Sequence, residues 1–108
     1  MPVQVTTQRK RRSLALKRLE QAVPMIKERY GVKRIGLFGS FARGEQTRKS
    51  DVDVLVEFSE GQATLYNIVH LADHLEAMFK RRVDLLTVSG VDKYIRPRVE
   101  AEVIWVEG

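Results

Sequence analysis

The chain has 108 residues, 44% of them hydrophobic, with a formal net charge of +5 and no cysteine. That length suits one domain (residues 1–108), is too short for two, and allows one modest core. No run approaches the ~18 consecutive apolar residues of a membrane helix, and residues 1–13 lack the apolar stretch of a secretory signal. The absence of cysteine excludes disulfides, thiolate zinc sites and a cysteine nucleophile, and it suits a reducing cytoplasm. The charge is uneven: residues 1–50 carry 13 Lys and Arg against three acids, whereas residues 51–108 carry six against 11. Such a split can set phosphate-binding cations opposite metal-binding carboxylates, although a solvated surface accounts for most of these charges.

In chain order, residues 1–12 form a basic start, and residues 7–30 are expected to be helical. Leu16, Leu19, Val23, Ile26 and Tyr30 recur at helical spacing, and Gly31 is a natural stop. Pro24 should kink this helix or start a second one. Residues 33–38 form a short apolar strand that ends in the turn Gly39-Ser40. Residues 41–50 are polar and suggest a short helix or loop. Residues 51–58, Asp-Val-Asp-Val-Leu-Val-Glu-Phe, form the clearest strand, with Val52, Val54 and Val56 alternating against Asp51, Asp53, Leu55 and Glu57. An amphipathic helix is expected over 63–80, with Leu65, Ile68, Ala72, Leu75 and Phe79 on its apolar stripe. Residues 82–88 predict a third strand, 92–101 a helix broken or started at Pro97, and 103–106 a last short strand. Strands alternating with helices every 20 to 30 residues indicate a small mixed sheet of three or four strands backed by helices, an α/β or α+β fold.

Three features converge on one chemistry. Gly39-Ser40 follows a strand directly, and glycine permits both a sharp turn and close approach of a phosphate to backbone amides. If a helix opens at Ser40, its free N–H groups favour an anion there. Asp51 and Asp53 are separated by one residue, which puts both carboxylates on one strand face, roughly 7 Å apart at the backbone. Such a pair suits hard cations such as Mg²⁺. Aspartate is disfavoured in strands, and two on one face repel unless a cation compensates them. Asp84 sits in the strand Val83-Asp84-Leu85-Leu86. Placed beside the first pair, it would supply the third carboxylate of a two-metal site, with metals ~3.5–4 Å apart.

The stretch Leu37 to Phe58 resembles the signature of the nucleotidyltransferase superfamily that includes DNA polymerase beta. An apolar residue is followed by Gly39-Ser40, then by the ten residues 41–50, then by Asp51-Val52-Asp53. The Ala-Arg-Gly-Glu and Ser-Asp elements resemble the minimal (MNT) branch in particular, and residues 82–87 match its third-carboxylate strand. The resemblance implies that Gly39 and Ser40 hold a triphosphate, that Asp51 and Asp53 bind Mg²⁺, and that Asp84 completes the metal site and helps deprotonate an acceptor hydroxyl. Arg43, Arg48 and Lys49 lie in the connecting segment and are candidates for neutralising phosphate, Arg43 before the others. Minimal nucleotidyltransferases of this kind are commonly antitoxins paired with HEPN-domain toxins, and some add AMP to a toxin tyrosine. The resemblance therefore implies ATP as donor and a hetero-oligomer with a HEPN partner.

Other features are read more plainly. His70 and His74 stand four apart on a helix but lack an evident third ligand, so solvent exposure is expected. Tyr66, Phe79, Trp105 and the other aromatics fit core positions. The Arg9-Lys10-Arg11-Arg12 run suits a solvated or frayed start, so nucleic acid is not expected as a direct ligand. The competing function is an antitoxin that neutralises its toxin by stoichiometric binding. A third reading, a small nucleic-acid-binding domain, rests on the basic N-terminus alone.

Overall fold

A computed structural model describes residues 13–107. The basic run of residues 9–12 lies outside the described residues. Helix α1, Leu14–Tyr30, opens on Ser13, whose hydroxyl accepts a hydrogen bond from the Leu16 amide at 3.1 Å. Its buried stripe is Ala15, Leu16, Leu19, Val23, Ile26 and Tyr30, which contains every position expected from the periodicity. The helix runs through Pro24 rather than restarting there. Pro24 faces solvent, while Val23 and Ile26 on either side are fully buried and hold both turns against the sheet.

The remaining elements are β1 (Val32–Phe38), α2 (Gly39–Arg43), β2 (Val52–Phe58), α3 (Leu65–Phe79), β3 (Val83–Thr87), α4 (Arg96–Glu102) and β4 (Ile104–Val106). The four strands form one sheet in the order β3-β2-β1-β4. β1 runs antiparallel to β2 and β4, whereas β2 and β3 are parallel, joined by the α3 crossover. The fold is thus the mixed α/β sheet that the pattern predicted. Pro97 lies in the first turn of α4, so it starts that helix rather than breaking one.

Both faces of the sheet are covered. Val52, Val54 and Val56 join Ile35 and Leu37 in a core beneath α1 and α3. A smaller cluster of Phe38, Leu55, Val91 and Val99 fills the opposite face under α4. Leu55 therefore packs against α4 instead of pointing to solvent. A bulge between Val32 and Arg34 lets Val32 and Ile35, three residues apart, face the same core. Gly36 permits β4 to close on β1, since a Cβ there would lie 2.6 Å from the Ile104 carbonyl oxygen.

Helix α3 begins at its Thr64 cap, and its buried residues are Leu71, Leu75 and Phe79. The expected stripe is correct at its C-terminal end and wrong at its start, where Leu65 is exposed. Tyr66 and Tyr94 are corrections too: they are 69% and 82% exposed, not core residues. Trp105 is half-buried, with the Arg34 guanidinium 3.9 Å above its ring. No helix of the described residues is long and apolar enough to cross a membrane.

Candidate active site

The antiparallel register sets Phe38, the last residue of β1, opposite Asp53 on β2. Gly39 follows at φ +69°, a left-handed conformation that carries the chain from the strand directly into α2. A Cβ at Gly39 would collide with Oδ2 of Asp53 and stand 3.1 Å from its Cγ. The glycine is therefore what lets the turn and the carboxylate share one corner. Ser40 sits in the first turn of α2 beside it.

Asp51 immediately precedes β2, and Asp53 lies within the strand. Both line one open cavity of about 460 Å³, together with Gly39, Ser40, Arg43 and Glu102. On the next strand, Asp84 of β3 pairs in register with Asp53 of β2. Four of the expected site residues thus gather around Asp53 in the cavity, and Asp84 stands on the adjoining strand. Burial pushes the Asp53 carboxyl above its ordinary range, and the negative charges of Asp84 and Asp51 push it further; Arg43 opposes the shift, and Glu102 adds to it.

Arg43 reaches the cavity from the last turn of α2. Its Nε donates to Glu45 at 2.8 Å and its Nη1 to Oε1 of Glu102 at 3.0 Å. These carboxylates, the Glu45 hydrogen bond foremost, hold the guanidinium above its ordinary pKa. Arg48 and Lys49 are exposed and do not line the cavity. Their backbone matters instead, because Nη1 of Arg81 donates to the carbonyls of Thr47, Arg48 and Ser50 at 2.8, 3.2 and 3.0 Å. Arg81 thereby fixes the loop that delivers Asp51. Sequence reasoning missed this residue, whose partners are backbone atoms more than 30 positions away. It also missed Glu102, which the sequence presents as one more acid near the C-terminus.

Among the described residues, no three of His, Cys, Asp and Glu are gathered closely enough to hold a metal ion alone. Asp51 and Asp53 beside an open polar cavity do fit the Mg²⁺ habit of taking one or two carboxylates plus substrate phosphates and water. The like charges of Asp51 and Asp84 around Asp53 are what a divalent cation would offset. His70 is exposed and stacks on Tyr66 with ring centres 4.1 Å apart, and His74 is half-buried against Tyr30 at 6.1 Å. The histidine pair has no part in the cavity.

The Gly39-Ser40 turn and the two carboxylates share one corner of a mixed sheet, and comparison with known proteins identifies the domain that carries them. The nucleotidyltransferase domain model matches residues 19–106. The chain belongs to that family, in its minimal branch, and is a nucleotidyltransferase. It is 43% identical over 81 residues to the protein adenylyltransferase MntA of Thermococcus cleftensis, spanning 75% of this chain and 81% of the relative. A solved structure described as a minimal nucleotidyltransferase shares 38% identity with a TM-score of 0.72, covering 82% of this chain and 90% of the other. At 18% identity the likeness is of fold alone: the MNT antitoxin complex with a tri-AMPylated Shewanella oneidensis HEPN toxin gives a TM-score of 0.63, covering 86% of this chain and 72% of that one.

Proposed function

We propose that this chain, as one minimal nucleotidyltransferase domain, transfers AMP from ATP to a protein hydroxyl, a tyrosine of a HEPN-type toxin, and so acts as that toxin's antitoxin in the cytoplasm. The observation that carries the reading is the shared cavity of Asp51, Asp53, the Gly39-Ser40 turn and Arg43. Gly39 and Ser40 hold the β- and γ-phosphates through backbone amide and hydroxyl, and Arg43 neutralises them. Asp51 and Asp53, with Asp84 completing the set, would hold Mg²⁺, which when bound would offset charge on the α-phosphate and the departing pyrophosphate. Asp84, exposed on the neighbouring strand, takes the proton of the acceptor hydroxyl. The tyrosine oxygen bonds to the α-phosphorus, the bond from that phosphorus to the bridging oxygen breaks, and pyrophosphate leaves. The adenine and tyrosine assignments lean on relatives: the Thermococcus protein is named an adenylyltransferase, and the Shewanella toxin is AMPylated.

The test incubates the full chain and a HEPN protein encoded beside it with ATP, and weighs the partner intact. Mass steps of one AMP that need Mg²⁺ and disappear in Asp53→Asn are expected. A partner of unchanged mass under all conditions refutes transfer.

A further inference from the structure

Glu102 is an anion in a place suited to another anion. It is the last residue of α4, where the helix dipole disfavours negative charge. It also lines the cavity that holds Asp51 and Asp53, and its charge adds to the repulsion on Asp53. Its side chain, 22% exposed, is held there by three donors. Oε1 accepts from the Gly39 amide at 3.3 Å and from Nη1 of Arg43 at 3.0 Å, and Oε2 accepts from Nε of Arg98 at 3.4 Å. One glycine amide in a turn and two guanidinium groups are the donors a phosphate group would take.

We propose that Glu102 is an internal stand-in for phosphate, which occupies the cradle of Gly39, Arg43 and Arg98 until a polyphosphate displaces it. This inference rests on the nucleotide site proposed above. Displacement exchanges one carboxylate for a chain of phosphates that can also share a cation with Asp51 and Asp53. The Glu102 side chain swings away about its own torsions, so no backbone change is required. A single phosphate has little to set against three donors already satisfied, whereas a Mg²⁺-bound triphosphate brings several oxygens at once. The stand-in therefore sets the affinity of the site and favours triphosphates over monophosphates.

The two readings separate by calorimetry on the full chain with Mg²⁺, using inorganic tripolyphosphate and a non-hydrolysable ATP analogue as probes. Glu102→Gln keeps shape and removes the charge. It should bind both probes about tenfold more tightly, the equivalent of about one charge-assisted contact no longer contested. KM for ATP should fall with kcat changed less, and adenosine binding should stay as it was. Unchanged or weaker tripolyphosphate binding in Glu102→Gln overturns the stand-in and makes Glu102 a positioning residue for Arg43. Failure of wild type and variant alike to bind either probe overturns the nucleotide site itself, and the stand-in with it. A measurement on the wild type guards against a variant that does not fold. The Gly39 amide and the Glu102 carboxyl carbon should shift together in NMR spectra as tripolyphosphate is added. A Glu102 signal that stays still while Gly39 moves contradicts displacement.

Discussion

Asp53 is where the competing charges of the site meet. Its carboxyl is raised by burial, then by Asp84 and Asp51. An acid with a raised native pKa binds more protons in the folded than in the unfolded state. Its contribution to stability is then present below the ordinary aspartate value, about 3.9, and is lost as pH rises through the raised native value. Asp53→Asn should therefore raise the metal-free Tm slightly at neutral pH, and the gain should vanish in acid. Mg²⁺ should stabilise wild type and not the variant. Thermal melts at several pH values with and without Mg²⁺ check this, and a pH-independent gain contradicts it. The same variant, and Asp51→Asn, should lose transfer by on the order of a hundredfold or more while remaining folded, if the pair holds the cation. Gly39 and Ser40 test the turn. Ser40→Ala removes one hydroxyl, about 0.5–1.5 kcal/mol of phosphate binding. Gly39→Val adds about 1–3 kcal/mol of backbone strain at positive φ and drives a side chain into Asp53. Affinity for ATP should fall further in Gly39→Val, and equal negligible effects would remove the turn from the phosphate site. These residues were legible because their type and spacing carry chemistry within one short stretch. Glu102 was not, since its donors come from α2 and from its own helix, and only the folded chain brings Gly39 and Arg43 to it.

The elements differ in how openly the sequence declares them. β2 alternates valine with acid, and the sheet uses that alternation as written up to Leu55, whose second face is covered by α4. A helix of seven residues that returns over the sheet leaves no local mark on the strand it covers. Pro24 leaves a kink or a restart open, and the structure excludes the restart. The proline removes one backbone donor, but the burial of Val23 and Ile26 outweighs that loss and α1 continues. The loop of residues 44–50 is polar and has no periodicity, so nothing local shows what orders it. Short bonds between Thr47 and Ser50 tie part of it together, and Arg81 ties it to the rest of the fold, its guanidinium bridging three of the loop's carbonyls and lying 5.1 Å from the centre of the Phe41 ring. Arg81→Ala should free that loop at a cost in stability of about 1–2 kcal/mol, because the bonds are charge-assisted but largely exposed. Hydrogen exchange at Lys49 and Ser50 should quicken. Transfer should fall through weaker Mg²⁺ dependence, as Asp51 loses its fixed position. Unaltered exchange in the loop would show that Arg81 does not order it.

At the scale of the molecule, the uneven charge of the two halves resolves into a corner rather than two poles. Arg43 from the basic half meets Asp51, Asp53 and Glu102 from the acidic half around one open cavity, with Asp84 on the adjoining strand. The cavity wall comes from β1, β2 and the two short helices α2 and α4, and no described element closes over it. An acceptor can approach from solvent, and the exposed Ile95, just before α4, lines the cavity. An open platform suits a protein acceptor, which brings its own surface to exclude water around the transferring phosphate. It suits equally an antitoxin that merely covers its toxin, and this is where catalysis and binding part company. If transfer neutralises the toxin, Asp53→Asn should still form the complex, because Asp53 is half-buried in the strand that lines the cavity, yet fail to protect cells that express an active HEPN RNase. Toxin purified after exposure to wild type should stay inactive once the antitoxin is removed under denaturing conditions and the toxin refolded. Toxin purified from the Asp53→Asn complex should regain its RNase activity by the same route. Equal protection by both forms, with RNase activity recovered from both complexes, would leave binding as the whole mechanism.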